Sequence, residues 1–368
     1  MLRISTCNHS IIDRLQRVGL TPALAESARG LAAGSEQRLD LLRVSAVHRE
    51  TVQLHDGQGE SPARQMPRLA RHLLEGGTML AVGDWVLASR DAAGARWVQL
   101  RVPPLSHIAR RDGDGSRHAV VSNVDWALLV MGLDDDFNLR RLERYLTLVY
   151  ASGIAPIVVL TKADVAAADP GLRDERLAAL ERRIPGSVPS VVVDATDPAS
   201  AGRFAHVACG GQTLVLLGSS GAGKSTLTNT LIGSAVQDTG AVREHDSRGM
   251  HTTTARSLHL LPGGACVIDT PGLRTLRPDI DEATLAASFG DVETLAGQCR
   301  FRDCTHGDEP GCAVRAGVDP DRLRNFHKLL RETRRDSMTW VERRQQLSAW
   351  KSRSKDTRMR MKTKRGDG

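Results

Sequence analysis

Gly218-Ser219-Ser220-Gly221-Ala222-Gly223-Lys224-Ser225 fits the pattern G-x-x-x-x-G-K-[ST] at every position. Glycines let a backbone wrap close to an anion with no Cβ in the way. The N–H groups that open a following helix then point at that anion. In such a loop Lys224 puts its charge on the β- and γ-phosphates of a nucleoside triphosphate, and the Ser225 hydroxyl ligates Mg²⁺. Thr226 supports the α-phosphate from the first helical turn. Further along, Asp269-Thr270-Pro271-Gly272 ends a β-like run. There Asp269 is placed to hold Mg²⁺ through water, and the Gly272 amide to meet the γ-phosphate.

A second pattern reads a base. Thr161-Lys162-Ala163-Asp164 resembles the guanine motif N-K-x-D, with Thr in the first position. Asp164 accepts hydrogen bonds from guanine N1–H and the 2-amino group, and adenine offers neither. A buried carboxylate left unpaired costs on the order of 1–3 kcal/mol or more, which is the source of discrimination. Lys162 lays its stem along the base. Val193-Asp194-Ala195 follows the next strand, where Ser-Ala is usual; the contact there is a backbone N–H, which Ala195 supplies. The base motif precedes the phosphate loop, whereas ordinary GTPases carry it last. The domain therefore reads as a GTPase cut open and rejoined elsewhere, a circular permutation.

Between loop and aspartate lies Arg248-Gly249-Met250-His251-Thr252-Thr253-Thr254. It is either an ordinary polar loop or a switch that closes over Mg²⁺ and the γ-phosphate. As a switch it offers Thr253 as the Mg²⁺-ligating hydroxyl, with Thr252 next. Leu273 stands where Ras-like enzymes place a water-orienting Gln. Hydrolysis by the chain alone is therefore expected to be slow. His251 is the candidate to position the water, giving a catalytic set of His251, Thr253 and Lys224; the other reading of His251 is packing or RNA contact.

Cys299-x4-Cys304-x-His306-x5-Cys312 has the spacing and ligand types of a tetrahedral Zn²⁺ site, with Gly307, Pro310 and Gly311 to make its turns. Four protein ligands leave no open position, so the zinc is structural; His327 is not needed. Free thiols or a redox pair are the alternatives.

These residues need elements to hold them. Residues 1–40 contain a helix over Thr21–Ala33, either an appendage or part of a docking surface. Residues 41–113 carry short strands, Leu42–Val47, Thr51–Leu54, Val82–Ala88 and Trp97–Val102, separated by turns such as Asp56-Gly57. That fits a small OB-fold-like barrel, which either binds nucleic acid or merely packs on its neighbour. Over 114–280 strands alternate with helices, implying an α/β domain with a mostly parallel sheet. A helical zinc-binding module at 281–335 and a basic tail at 336–368 follow.

Residues 331–368 hold thirteen Lys/Arg against five Asp/Glu, so +8 sits in that segment while the whole chain is +7. The rest sums to −1, and the basic segment is either a polyanion contact or a solvated tail. No apolar run reaches the ~18–20 residues of a membrane helix. Cysteines grouped at metal spacing, with no secretion signal at the N-terminus, point to a cytoplasmic protein with no membrane partner.

Taken together the motifs resemble the ribosome small-subunit-dependent GTPases, the RsgA (YjeQ) family. The resemblance rests on the guanine-first order, Gly218–Ser225, His251–Thr254, Asp269–Gly272 and the Cys₃His spacing. It implies a multidomain fold: N-terminal barrel, central circularly permuted GTPase, C-terminal zinc module. It implies GTP/GDP, Mg²⁺ and one Zn²⁺, a monomer, and the small (30S) ribosomal subunit with its rRNA as partner. It also implies a role in late 30S maturation with subunit-stimulated turnover. A GTP-dependent RNA-binding latch with negligible turnover is the alternative. A P-loop ATPase or kinase would leave Thr161–Asp164 unexplained, and a membrane-associated GTPase would need an anchor the sequence does not show.

Overall fold

The computed structural model describes residues 9–111, 117–233, 256–270 and 280–337. The chain divides into two units, Met1–Pro278 and Asp279–Gly368.

The first unit opens with helices α1 (His9–Arg17) and α2 (Pro22–Ala32). Thr21 caps α2, its hydroxyl accepting from the Leu24 N–H at 3.3 Å, and Pro22 takes the first turn. Next come β1 (Asp40–Val47), β2 (Val52–His55), β3 (Glu60–Gln65), α3 (Pro67–Glu75), β4 (Trp85–Arg90) and β5 (Arg96–Arg101). The strands pair in the order β1-β2-β3-β5-β4, and β4 returns to β1, closing a barrel. Leu42, Val44, Leu54, Val86 and Val98 fill it. The expected strand Val82–Ala88 begins only at Trp85, because Gly83 takes φ 93° where a Cβ would collide with the Ser122 carbonyl.

The hairpin β6 (His107–Arg111) and β7 (Arg117–Ser122) leads into the α/β part. That part contains β8 (Trp126–Gly132), α4 (Leu139–Ala151), β9 (Ala155–Thr161), α5 (Ala163–Ala166), α6 (Pro170–Arg183) and β10 (Ser190–Val192). After a 3₁₀ helix at Pro198–Phe204 come β11 (Thr213–Gly218), α7 (Lys224–Ile232), β12 (Ser257–Leu260) and β13 (Cys266–Asp269). The sheet order is β10-β9-β8-β11-β13-β12, parallel except for β12. Alternate residues of the central strands face opposite sides. Leu128, Val130, Leu214 and Leu216 pack under Leu227 of α7 and Phe204. Leu129, Met131, Val215 and Leu217 pack under Leu142, Leu146 and Val149 of α4.

The same core cluster takes in Leu15 of α1, Val18 just after it, and Leu24 and Ala28 of α2. The N-terminal segment is therefore packed into the core of the first unit rather than hung from it as an appendage. Arg43 of β1 shows how it is joined. This fully buried cation donates to Thr213 Oγ1 (3.0 Å), the Asn123 carbonyl (2.9 Å), the Gly83 carbonyl (3.3 Å) and the Val18 carbonyl. One side chain thus ties the helices, the barrel and β11, and desolvation by burial pulls its pKa down. The barrel and the α/β sheet also share a rung, Ala46 of β1 opposite Ser257 of β12.

The second unit has α8 (Glu282–Ser288), α9 (Gly290–Ala296), α10 (Ala313–Gly317) and α11 (Pro320–Ser337) around Leu285, Phe289, Val292, Val314 and Leu329. Arg322 lies 4.5 Å from the Phe289 ring centroid and bonds Asp291 at 2.7 Å. Among the described residues no helix is long and apolar enough to cross a membrane.

Candidate functional site

The C-terminal ends of β8, β9 and β11 gather the residues singled out by type and spacing. β11 ends at Gly218, where a Cβ would collide with the Val130 carbonyl of β8, so only glycine lets the strands approach so closely. The loop turns through Gly221 (φ 83°) and Gly223 (φ 87°), both left-handed, and α7 begins at Lys224. Lys224, Ser225 and Thr226 fill the first helical turn, while Ser219, Ser220, Gly221 and Ala222 form the loop.

Lys224 is buried, and its Nζ donates to the Ser219 carbonyl at 2.6 Å. Desolvation lowers its pKa, while Asp269 and Asp136 oppose the fall. Asp269 ends β13 and is buried; burial raises its pKa, and Lys224 and His259 counter the rise. Its Oδ1 has no hydrogen-bond partner among the described residues. A buried carboxylate oxygen left unmatched beside a phosphate-loop lysine fits a hard cation's need for oxygen ligands. The residues present therefore suit Mg²⁺. Thr270 is fixed by its hydroxyl on the Leu216 carbonyl at 2.6 Å.

The base motif lies against this loop. Thr161 ends β9, fully buried, and its hydroxyl donates to the Ala222 carbonyl at 2.7 Å. Lys162 follows in the left-handed region (φ 61°), and α5 carries Ala163 and the exposed Asp164 in its first turn. The Ala163 N–H donates to the Val193 carbonyl at 3.4 Å. That brings Val193–Ala195 alongside, and the Ala195 carbonyl accepts Thr230 Oγ1 of α7 at 2.6 Å. Asp194 turns its carboxylate to Thr196, 2.8 Å from the N–H and 2.6 Å from the hydroxyl, so its side chain shapes the turn.

Sequence reasoning missed one segment, Leu133–Asn138, between β8 and α4. Asp134 Oδ2 pairs with Lys162 Nζ at 2.6 Å, and Asp136 Oδ1 accepts the Ser219 hydroxyl at 2.5 Å. The adjacency of β8 to β11 brings Asp136 to the phosphate loop, and its adjacency to β9 brings Asp134 to the base motif.

His251, Thr252, Thr253, Thr254, Gly272 and Leu273 lie outside the described residues, as does the basic segment from 338 onward.

In the second unit Cys299, Cys304, His306 and Cys312 bring their ligand atoms within 4.8 Å of one another. A tetrahedral Zn²⁺ at ~2.3 Å from sulfur and ~2.0–2.1 Å from nitrogen requires S···S edges of ~3.8 Å and S···N edges of ~3.6 Å. Cys299 and Cys312 sulfurs are 3.9 Å apart, and each is 3.6 Å from His306 Nδ1. The cluster has the dimensions and the donor set of a zinc knuckle. Glu309 shapes its loop, accepting from the N–H groups of Thr305 (2.9 Å) and Gly307 (2.8 Å), while His306 itself takes φ 61°. The hydrogen bonds to Thr305 and its neighbours hold the Glu309 carboxyl down at about 2. His327 reaches the His306 carbonyl at 3.3 Å and is not in the cluster.

The model of the family described as RsgA GTPase matches residues 102–278. The small ribosomal subunit biogenesis GTPase RsgA of Xanthomonas oryzae pv. oryzae (strain MAFF 311018) is 48% identical over 275 residues, 73% of this chain and 72% of that protein. Two solved structures share the fold at 22% identity. YjeQ from Thermotoga maritima aligns with a TM-score of 0.57 over 80% of this chain and 98% of its own. YloQ, described as a circularly permuted GTPase, aligns with a TM-score of 0.56 over 82% of this chain and 97% of its own.

Proposed function

The chain belongs to the RsgA GTPase family, and from that premise we propose that it hydrolyses GTP to GDP and phosphate on the small ribosomal subunit during the subunit's maturation. The observation that carries the reading is the Thr161–Ala222 hydrogen bond. It ties a guanine-type motif to a phosphate-type loop, although the chain meets the two in reversed order.

In this reading Asp164 and the Ala195 N–H select guanine, with Lys162 along the base. The amides from Ser219 to Ser225 and the α7 N-terminus hold the phosphates, and Lys224 sits against the β- and γ-oxygens. Ser225, Asp269 and Thr253 would hold Mg²⁺, which when bound neutralises charge developing between the β- and γ-phosphates. The Gly272 amide meets the γ-phosphate. His251 orients the attacking water, since Leu273 cannot. The protein acts as a cytoplasmic monomer, with rRNA contacted by the barrel, the zinc-bearing unit and the basic tail. One Zn²⁺ on Cys299, Cys304, His306 and Cys312 is structural.

The test is GTP turnover in buffer, with large subunits and with small subunits. Small subunits alone should stimulate, and His251→Ala should lose mainly the stimulated rate while keeping GTP affinity. In parallel, Asp164→Asn should weaken GTP and partly recover binding to xanthosine nucleotides, whose 2-position is a carbonyl. Leu273 also favours a second reading, a GTP-dependent latch that binds RNA with negligible turnover. Binding of small subunits without any stimulation would select the latch.

A further inference from the structure

The segment between β8 and α4 carries charges that no nucleotide motif accounts for. Asp136 Oδ1 accepts two hydrogen bonds at once, from Ser219 Oγ at 2.5 Å and from Arg141 Nη2 at 2.6 Å. Its Oδ2 accepts the Gly132 N–H at 3.2 Å, and its carbonyl also accepts from Arg141. Ser219 is itself bound from the other side, where its carbonyl takes the Lys224 ammonium at 2.6 Å. One carboxylate oxygen is all that separates the Arg141 guanidinium from the phosphate loop.

Arg141 stands where a helix disfavours it. The first turn of α4 holds Arg140 and Arg141 and no acidic residue, although the positive end of the helix dipole lies there. Asn138 caps the helix by accepting the Arg141 N–H at 3.0 Å, so the backbone under the side chain is fixed. The Arg141 side chain retains 27% of its exposure, against 14% for that of Asp136, so the arginine is the more accessible partner of the pair. Desolvation lowers the Lys224 pKa, and Arg141 adds to the fall as a second cation nearby.

A single aspartate is a modest partner for a guanidinium. A polyphosphate carries more charge and presents the oxygen pairs that a guanidinium fork matches. We propose that Arg141 is a further phosphate-contacting residue, drawn from Asp136 to the terminal phosphate of bound GTP, so that the Asp136–Arg141 pair sets the preference for GTP over GDP. The proposal rests on the GTPase reading above. Asp136 is the competitor that makes the contact conditional: with two phosphates the guanidinium stays on the carboxylate, and with three it crosses over.

The experiment is titration of the full-length protein with fluorescent GDP and with a fluorescent non-hydrolysable GTP analogue, in Mg²⁺ buffer. Wild type, Arg141→Gln, Arg141→Lys and Asp136→Asn are compared, with thermal melts to show that each is folded. A charge-assisted hydrogen bond is worth about tenfold in affinity, so Arg141→Gln should lose that much for the GTP analogue and less than about twofold for GDP. Arg141→Lys, which keeps the charge without the fork, should fall between. Asp136→Asn frees the guanidinium and should shift the ratio the other way, favouring the analogue. A pair that only pins α4 to the loop would give folded variants that weaken both nucleotides equally, and that result overturns the proposal. Wild type that binds neither nucleotide overturns the GTPase reading itself, and the proposal with it.

Discussion

Thr161 stands where asparagine is usual in a guanine motif, yet its hydroxyl lies 2.7 Å from the Ala222 carbonyl and reaches 3.4 Å to the Met131 carbonyl. The departure keeps a donor at the junction of base and phosphate motifs, and the sequence could not show this because the acceptor is sixty-one residues away. Thr161→Val preserves shape and leaves the Ala222 carbonyl unpaired in a buried place, which costs about 1–3 kcal/mol. Part of that cost falls on the loop, so GDP affinity should drop by about fivefold or more, while Thr161→Ser should stay near wild type. Nucleotide titration of the two variants checks it; equal affinity for Thr161→Val and wild type would detach Thr161 from the phosphate loop. The motif residues were legible because their chemistry demands fixed spacings. Asp136 was not, since its role depends on which strand lies beside β11.

At the level of elements, the alternation of strands and helices over 114–280 was plain in the sequence, because central strands such as β8 and β9 are continuous apolar runs. Elements with weaker patterns were not. β3 carries Pro62 and polar residues, and β12 is four residues long. α1, with exposed Gln16 and Arg17 beside buried Leu15, shows its apolar side only once it is packed. The fate of α1 and α2 was equally hidden, because a helix's apolar stripe does not say what it will cover. Leu24 is 1% exposed and belongs to the cluster that includes Val215 and Leu217, on the strand feeding the phosphate loop. Leu24→Ala should therefore destabilise the first unit by roughly 2–5 kcal/mol, as core truncations do. Urea unfolding followed with nucleotide present and absent measures it. A change within about 0.5 kcal/mol, the range of surface substitutions, would return the N-terminal segment to the status of an appendage.

On the scale of the whole molecule, the two units hold their chemistry separately. All four zinc-type ligands fall in the second unit, and every described residue of the nucleotide site falls in the first. Cys304→Ser, or stripping metal with a chelator, should release one Zn²⁺ and expose the α8–α11 amides to hydrogen exchange. GDP affinity should stay within about twofold, because no nucleotide-site group is touched. Joint loss of zinc and nucleotide binding would show that the units are not independent. The rung between Ala46 and Ser257 has a further effect. An open β-sheet ends in strands whose unpaired amides can recruit another chain. Here one outer strand, β10, is only three residues long, and the other, β12, is met by the barrel. The barrel is thus also an edge guard: a GTPase domain inherited or excised without it would expose β12 as a template for self-association, which ties the solubility of one domain to the presence of the other.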